Sequence, residues 1–229
     1  MDLEEIKKNA GYLAASFVKE GMVVGLGTGS TAKYFIEKLI ERKKTENLNI
    51  QTISSSLTSL NQAKQGNLNI LDINQVDVID LTVDGADEID SKKRMIKGGG
   101  GALLREKIVA SMSREMIVII DESKQVKLLG SKKLPIEVVP FACMTILRKI
   151  QKRGLFAQFR TKDKNSKEFY VTDNGNYIID IHFNTLLENP EKEHALLKEI
   201  PGVVETGFFF HLAGRVIVAL SNGQIITIP

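Results

Sequence analysis

The chain has 229 residues, 43% of them hydrophobic and 26% charged, the proportions of an ordinary soluble globular protein. That length makes one large domain or two small ones, and it buries about 70–75% of its unfolded surface with no need of a disulfide or metal. Lys plus Arg number 31 against 28 Asp plus Glu, a formal charge of +3, which excludes a strongly basic nucleic-acid binder but not a local pocket for a small anion.

Tryptophan is absent and aromatics are 6%, which argues against a base-stacking RNA platform. A single cysteine, Cys143, excludes an internal disulfide and suits a reducing compartment. No apolar run approaches the roughly 18 residues of a membrane span. The start is acidic at Asp2, Glu4 and Glu5 where a signal peptide would be basic. The expected setting is the cytoplasm.

Leu3, Ile6, Ala10, Leu13 and Phe17 recur at helical spacing, with Asp2 and Glu5 as a capping-box-like start and Gly21 as the stop. Residues 22–26 read as a buried parallel strand, and Ala32, Phe35, Ile36 and Leu39 as the next helix. The alternation goes on: a strand at 50–53, a helix at 57–65 closed by Gly66, strands at 69–71 and 78–83, a helix at 102–112 and a strand at 116–120. Strands alternating with helices predict an α/β, Rossmann-like, mainly parallel sheet with helices on both faces, whose ligands bind beyond the carboxyl ends of the strands.

After about Leu129 the texture changes. Pro135 and Pro140 bracket a strand at 136–139, and a helix follows at 141–153. Residues 169–171 and 177–181 flank Asp173-Asn174-Gly175-Asn176, a hairpin signal, before a helix at 191–200 and a strand from Val203. This β-α-β-β-α-β order predicts a smaller ferredoxin-like α+β domain. The expected division is 1–130 with 207–229 for the larger domain and 131–206 for the smaller. A tail hairpin at 216–220 and 225–228 has the option of returning to the first sheet.

Three segments carry chemistry. Gly25-Leu26-Gly27-Thr28-Gly29-Ser30-Thr31 joins strand to helix, where glycine amides, a helix N-terminus and two hydroxyls suit a phosphate. No Lys follows as in a Walker loop, and Ser30 stands where a dinucleotide fingerprint has its third Gly. Asp84, Gly85, Ala86, Asp87, Glu88 and Asp90 end an apolar strand without the spacing of a calcium loop. A solvated loop is expected for Glu88 and Asp90 rather than for Asp84 and Asp87. In the third, Lys97 precedes Gly98, Gly99, Gly100 and Gly101. Four glycines are an entropic cost that unusual backbone angles or close ligand approach would justify. Glu106, in the helix that follows, and Lys124, after a strand end, read alone as surface residues. Three scattered histidines, His182, His194 and His211, lack metal-ligand spacing. Cys143 reads as a buried thiol.

In this order, Gly27–Thr31, Asp84–Glu88, Lys97–Leu103 with Arg105-Glu106-Lys107, and Ser123-Lys124-Gln125 resemble ribose-5-phosphate isomerases of the A type. So do Pro135–Val138, Val171–Asn176 and Pro201–Val204, so the resemblance spans essentially the whole chain. One departure is Leu57 after Ser54-Ser55-Ser56, where that family usually carries a more polar residue.

The resemblance implies interconversion of ribose 5-phosphate and ribulose 5-phosphate through an enediol, with no metal or organic cofactor. It makes Glu106 the base that moves a proton between C1 and C2. Thr28, Gly29, Ser30 and Thr31, Asp84, Gly85, Ala86 and Asp87, Lys97, Gly98, Gly99 and Gly100, and Lys124 would line the site. Lys97 would stabilise the enediolate, and Asp84 or Asp87 would open the ring. It further implies a sugar-phosphate partner, no nucleic acid or membrane partner, and a homodimer or sometimes a tetramer. The rivals are a non-catalytic phosphosugar-sensing domain of the same fold, a coenzyme A transferase and an aminosugar-phosphate deaminase.

Overall fold

The computed structural model describes residues 2–163 and 165–229. They group into two compact units: residues 2–86, 105–125 and 212–229 in the first, 87–104, 126–163 and 165–211 in the second. The sequence reading assigned 87–104 to the larger domain. In the structure the segment instead forms antiparallel strands with 208–209, inside the second unit.

The first unit opens with α1 (Leu3–Ala15), capped by Asp2, whose carboxylate accepts from the Glu5 amide at 2.8 Å, a contact worth about 1 kcal/mol. The helix ends at Ala15, short of the expected Gly21. There follow β1 (Val23–Leu26), α2 (Ala32–Glu46), β2 (Gln51–Ser54), α3 (Leu57–Gln65), β3 (Asn69–Ile70) and β4 (Leu81–Asp84). Beyond the second unit's first excursion, β5 (Glu88–Ile89) and β6 (Met95–Ile96), the chain enters α4 (Leu103–Ser111) and β7 (Met116–Asp121).

The tail supplies β13 (Val216–Ala219) and β14 (Ile225–Ile228), completing a sheet of order β14-β13-β7-β4-β1-β2-β3. Every pairing is parallel except the edge pair β13–β14. Val24, Leu26, Val83, Ile117 and Ile119 meet Phe35 and Leu39 of α2 and Ala10 and Ala14 of α1 on one face. Val109 of α4 packs with Ile53 and Ile79 in a separate apolar cluster. Strands buried this way read as continuous apolar runs rather than alternating ones.

The second unit contains β8 (Leu134–Val138), α5 (Cys143–Gln151), β9 (Phe156–Phe159), β10 (Tyr177–His182), α6 (Pro190–Lys198), β11 (Val203–Thr206) and β12 (Phe208–Phe209). Its antiparallel sheet runs β11-β8-β10-β9, the ferredoxin-like order, and β12-β6-β5 form a small second sheet. Isolated bridges at Thr161–Phe169 and Val171–Tyr177 replace the expected hairpin strand at 169–171, and β10 pairs instead with β9 on one side and β8 on the other. The turn at 172–176 is tied to buried Glu137, whose Oε1 accepts from Thr172 Oγ1, Asn174 Nδ2 and Asn176 Nδ2 at 2.9, 3.0 and 2.9 Å. No helix among the described residues is long and apolar enough to cross a membrane.

Candidate active site

Within the first unit, the carboxyl ends of β7, β4, β1 and β2 lie side by side, and those of β1, β4 and β7 lead into segments named above for their chemistry. After β1 the backbone must run close to β4. The Gly27 amide donates to Val83 O at 3.0 Å, and a Cβ on Gly27 would lie 2.4 Å from Asp84 Cγ and 2.5 Å from Val83 O. Only glycine fits. Gly29 follows with φ +113°, in the region L side chains avoid.

The loop is held from both sides. Asp84, at the end of β4 and 1% exposed, accepts from the Thr28 amide at 2.9 Å and from the Gly85 amide at 2.8 Å, both on Oδ1. Opposite, Thr28 Oγ1 donates to Ser56 Oγ at 2.8 Å and pairs with Ser55 Oγ at 3.0 Å. Ser55 and Ser56 are buried, and their part in holding the loop became visible only in three dimensions. Thr31 makes no side-chain cap on α2, so its hydroxyl does not occupy the first-turn amides. Gly29 and Ser30 are exposed. Beside the loop a small open cleft of about 30 Å³ is bounded by Gly27, Thr28, Gly29, Lys33, Thr58 and Gln62.

Glu106 stands in the first turn of α4 and is 4% exposed, not the surface residue its local sequence suggests. It precedes Val109 by three residues and so shares the helix face that packs against Ile53 and Ile79. The positive end of the helix dipole lies at the same turn. Lys124 is half-buried in a single 3-10 turn, Glu122–Lys124, directly after β7. Asp121 caps that turn by accepting from the Ser123 amide at 3.0 Å.

Within the second unit, Lys97 and the glycines leave β6. The Lys97 side chain is 2% exposed with its Nζ 5.5 Å from the centre of the Phe209 ring, and its amide donates to Gly207 O at 2.8 Å. Gly98 and Gly101 take φ of +97° and +83°, which accounts for two of the four glycines. Asp87 is half-buried and accepts from the Gly99 amide at 2.7 Å. A Cβ on Gly99 would meet Asp87 Oδ1 at 2.6 Å, which accounts for a third.

The acidic segment divides differently from the expectation. Glu88 is wholly buried rather than solvated, and it accepts from the Gly130 amide at 2.7 Å, the Lys132 amide at 2.5 Å and the Ser131 hydroxyl. Asp90 is also buried and pairs with Arg94 at 2.7 Å while capping its own turn through the Lys92 and Arg94 amides. Both are structural carboxylates whose donors discharge the cost of burial. Cys143 opens α5 and is half-buried, not buried. His194 engages Thr206 Oγ1 at 2.7 Å, and no group of three His, Cys, Asp or Glu side chains among the described residues is arranged to hold a metal.

Comparison with known proteins follows the same segments. The family model described as ribose 5-phosphate isomerase A (phosphoriboisomerase A) matches residues 51–223. A protein named ribose-5-phosphate isomerase A from Protochlamydia amoebophila is 49% identical over 218 residues, covering 95% of this chain and 93% of that one. One of the same name from Streptococcus pneumoniae is 48% identical over 221 residues, 96% of each. Among solved structures, a ribose 5-phosphate isomerase A from Methanocaldococcus jannaschii superposes with a TM-score of 0.91 at 36% identity, covering 99% of both chains. A D-ribose-5-phosphate isomerase in complex with phospho-erythronic acid superposes with a TM-score of 0.93 at 38% identity, covering 100% of this chain and 99% of that one.

Proposed function

Because the chain belongs to the ribose 5-phosphate isomerase A family, we propose that it interconverts D-ribose 5-phosphate and D-ribulose 5-phosphate through an enediol, in the non-oxidative pentose phosphate pathway. The observation that carries this reading is the burial of two ionisable side chains, Glu106 and Lys97, at 4% and 2% exposure. Buried charges are costly and are kept where structure or chemistry needs them; these two lie in the segments Lys97–Leu103 and Arg105–Lys107, which carry the likeness to the isomerase family.

In this mechanism the carboxylate of Glu106 takes the proton from C2 of the open-chain aldose and returns it to C1. A single base with access to both carbons serves both transfers. Negative charge develops on the oxygens of the enediolate, and Lys97 with the amides of Gly98 and Gly100 stabilises it, while the Gly99 amide holds Asp87 beside it. The furanose must open first, a proton transfer assigned to the Asp84 and Asp87 pair. Thr28, Gly29, Ser30 and Thr31 bind the phosphate with amides and hydroxyls at the N-terminus of α2, while Gly85, Ala86 and Lys124 complete the lining.

The ligand of the related structure supports the enediol. Phospho-erythronic acid carries a phosphate and a planar carboxylate, which matches an enediolate in shape and charge. Metal-independent chemistry is supported by the acidic segment, whose carboxylates are engaged by backbone amides and by Arg94. The protein acts, in this reading, in the cytoplasm and as a homodimer or a larger tetramer.

A coupled ribose 5-phosphate assay with chelator present tests the proposal. Wild type turns over. Glu106→Gln keeps the shape of the side chain and removes the base, so kcat falls by about 10²–10⁴-fold while phospho-erythronic acid still binds within a few-fold. Near-normal turnover by the variant overturns the role of Glu106. Activity abolished by chelator and restored by magnesium overturns the metal-free mechanism.

A further inference from the structure

Arg160 follows β9, and the antiparallel register of β9 and β10, with Gln158 opposite Asp180, brings it beside the carboxylate of Asp180. The guanidinium pairs with that carboxylate through two bonds, Nε to Oδ2 at 3.0 Å and Nη2 to Oδ1 at 2.6 Å. Lys133 adds a third donor to Oδ2 at 2.6 Å. Asp180 is buried, and a two-pronged pair on a buried carboxylate fixes the plane of the guanidinium. The remaining nitrogen, Nη1, donates to two backbone carbonyls, Gly98 O and Gly99 O, each at 3.0 Å. The adjoining carbonyl, Gly100 O, accepts from the Tyr170 hydroxyl at 3.1 Å, and the Arg160 guanidinium lies 5.8 Å from the Tyr170 ring centre. Burial pushes the Tyr170 phenol up, which keeps the proton it donates.

A stretch of glycines has no side chains with which to fix its own peptide planes. Here three consecutive carbonyls are fixed from outside. A trans peptide sets each N–H opposite its own C=O, so turning Gly98 O and Gly99 O toward Arg160 turns the amides of Gly99 and Gly100 away from it. One of these amides, Gly99 N–H, meets Asp87 at 2.7 Å.

We propose that Arg160, anchored by Asp180 and assisted by Tyr170, is the positioning residue for loop 97–101: it sets the peptide planes whose amides orient Asp87 and face the enediolate. It touches no substrate atom and acts through the loop. The kinetic part of this proposal rests on the isomerase reading above, but the mechanical part does not.

Lysine cannot replace arginine in this role. Arg160→Lys keeps the charge beside Asp180, but a single nitrogen cannot span two carboxylate oxygens and two carbonyls. The expected result is a folded protein with a kcat lowered about 10–100-fold, since small misplacements of a catalytic constellation have effects of this size. KM should stay within about threefold, because the phosphate loop at 27–31 is untouched. Amide hydrogen exchange at 98–101 in the unliganded protein should rise by about tenfold, the loss of one or two hydrogen bonds. Tyr170→Phe, which removes one hydroxyl, should lower kcat about two- to fivefold with a smaller rise in exchange.

Wild-type kcat in folded Arg160→Lys overturns the proposal. So does a loss of kcat without faster exchange in the loop, or a rise in KM alone. If Arg160→Lys does not fold, Tyr170→Phe decides, and wild-type kcat and exchange in that variant overturn the proposal. A wild type that fails to turn over ribose 5-phosphate defeats the isomerase reading instead. The exchange measurement then still judges whether Arg160 holds the loop.

Discussion

Loop 27–31 and loop 97–101 are both rich in glycine, yet they owe their shapes to different supports. The first grows out of a buried parallel strand, and its neighbours are backbone and short side chains: Val83 O, the Asp84 carboxylate, Ser55 and Ser56. The second leaves a two-residue strand and is shaped chiefly by two long side chains, Arg160 and Tyr170, which hold its carbonyls, with Asp87 on one amide. The difference teaches where each loop stores its precision. One is built into the fold and would fail with it. The other is adjusted by groups that can be altered while the fold stays intact.

A matched pair of alanine substitutions breaks or sharpens this contrast, and it should give the largest effects. In Gly99→Ala the atoms nearest the new Cβ are those of the Asp87 carboxylate, at 2.6 and 3.0 Å. That side chain swings aside, so turnover should drop by about 10–100-fold with stability changed by less than about 0.5 kcal/mol. In Gly27→Ala the Cβ meets Val83 O at 2.5 Å as well as Asp84, and a strand carbonyl in mid-sheet cannot swing aside. Unfolding free energy should fall by about 1–3 kcal/mol or more, with turnover lost alongside it. Urea titrations and steady-state kinetics on the two variants check the pair. Equal stability losses would erase the distinction between the loops.

The same distinction explains what the sequence disclosed. The first unit announced itself through periodicity: the apolar stripe of α1, the continuous apolar β1 and β7, and the glycine turn between β1 and α2 are local patterns with local causes. The strand β9 escaped because Phe156 points to solvent while Ala157 is buried, so its large apolar residue marks the wrong face. Strands β5, β6 and β12 have two residues each, too few to show any period. Among the site residues, Glu106 carried no local mark of burial, and only the order of motifs around it set it apart. Arg160 had no mark at all, since its partners lie 20 and about 60 residues away. Glu88 was misjudged for the same reason, its donors standing 42 to 44 residues downstream.

Glu88 therefore offers a second, smaller test, now between two adjacent carboxylates. Asp87 serves loop 97–101, whereas Glu88 serves the chain at 130–132. All the contacts made by Glu88 accept hydrogen bonds, so Glu88→Gln must turn an NH2 group against a backbone or hydroxyl donor. Unfolding free energy should fall by about 1–3 kcal/mol, seen as a lower urea midpoint, with kcat of the folded protein moving far less than in Asp87→Asn. A Glu88→Gln protein as stable as wild type would mean that those three donors contribute nothing net.

The smallest effect concerns acid, and it bears on loop 97–101, which is held through the Arg160–Asp180 ion pair. Burial alone would push the Asp180 carboxyl up, but Arg160 and then Lys133 overcome it and hold the group below the usual carboxylate range. A carboxyl depressed in the folded state contributes stability that is fully present above its unfolded value, near 3.8. That contribution is lost as pH falls through the lower, folded value. Wild type should thus shed part of its stability below about pH 4, and the Arg160 anchor should loosen with it. Asp180→Asn cannot titrate there. It should be less stable at neutral pH, because Arg160 keeps its charge without a counter-ion, but its urea midpoint should fall less steeply between pH 5 and pH 3. Parallel pH profiles for the two proteins would show that the Asp180 pair contributes nothing to acid sensitivity. The positioning of loop 97–101 would then rest on the neutral contacts of Tyr170 and on the geometry of the guanidinium rather than on its charge.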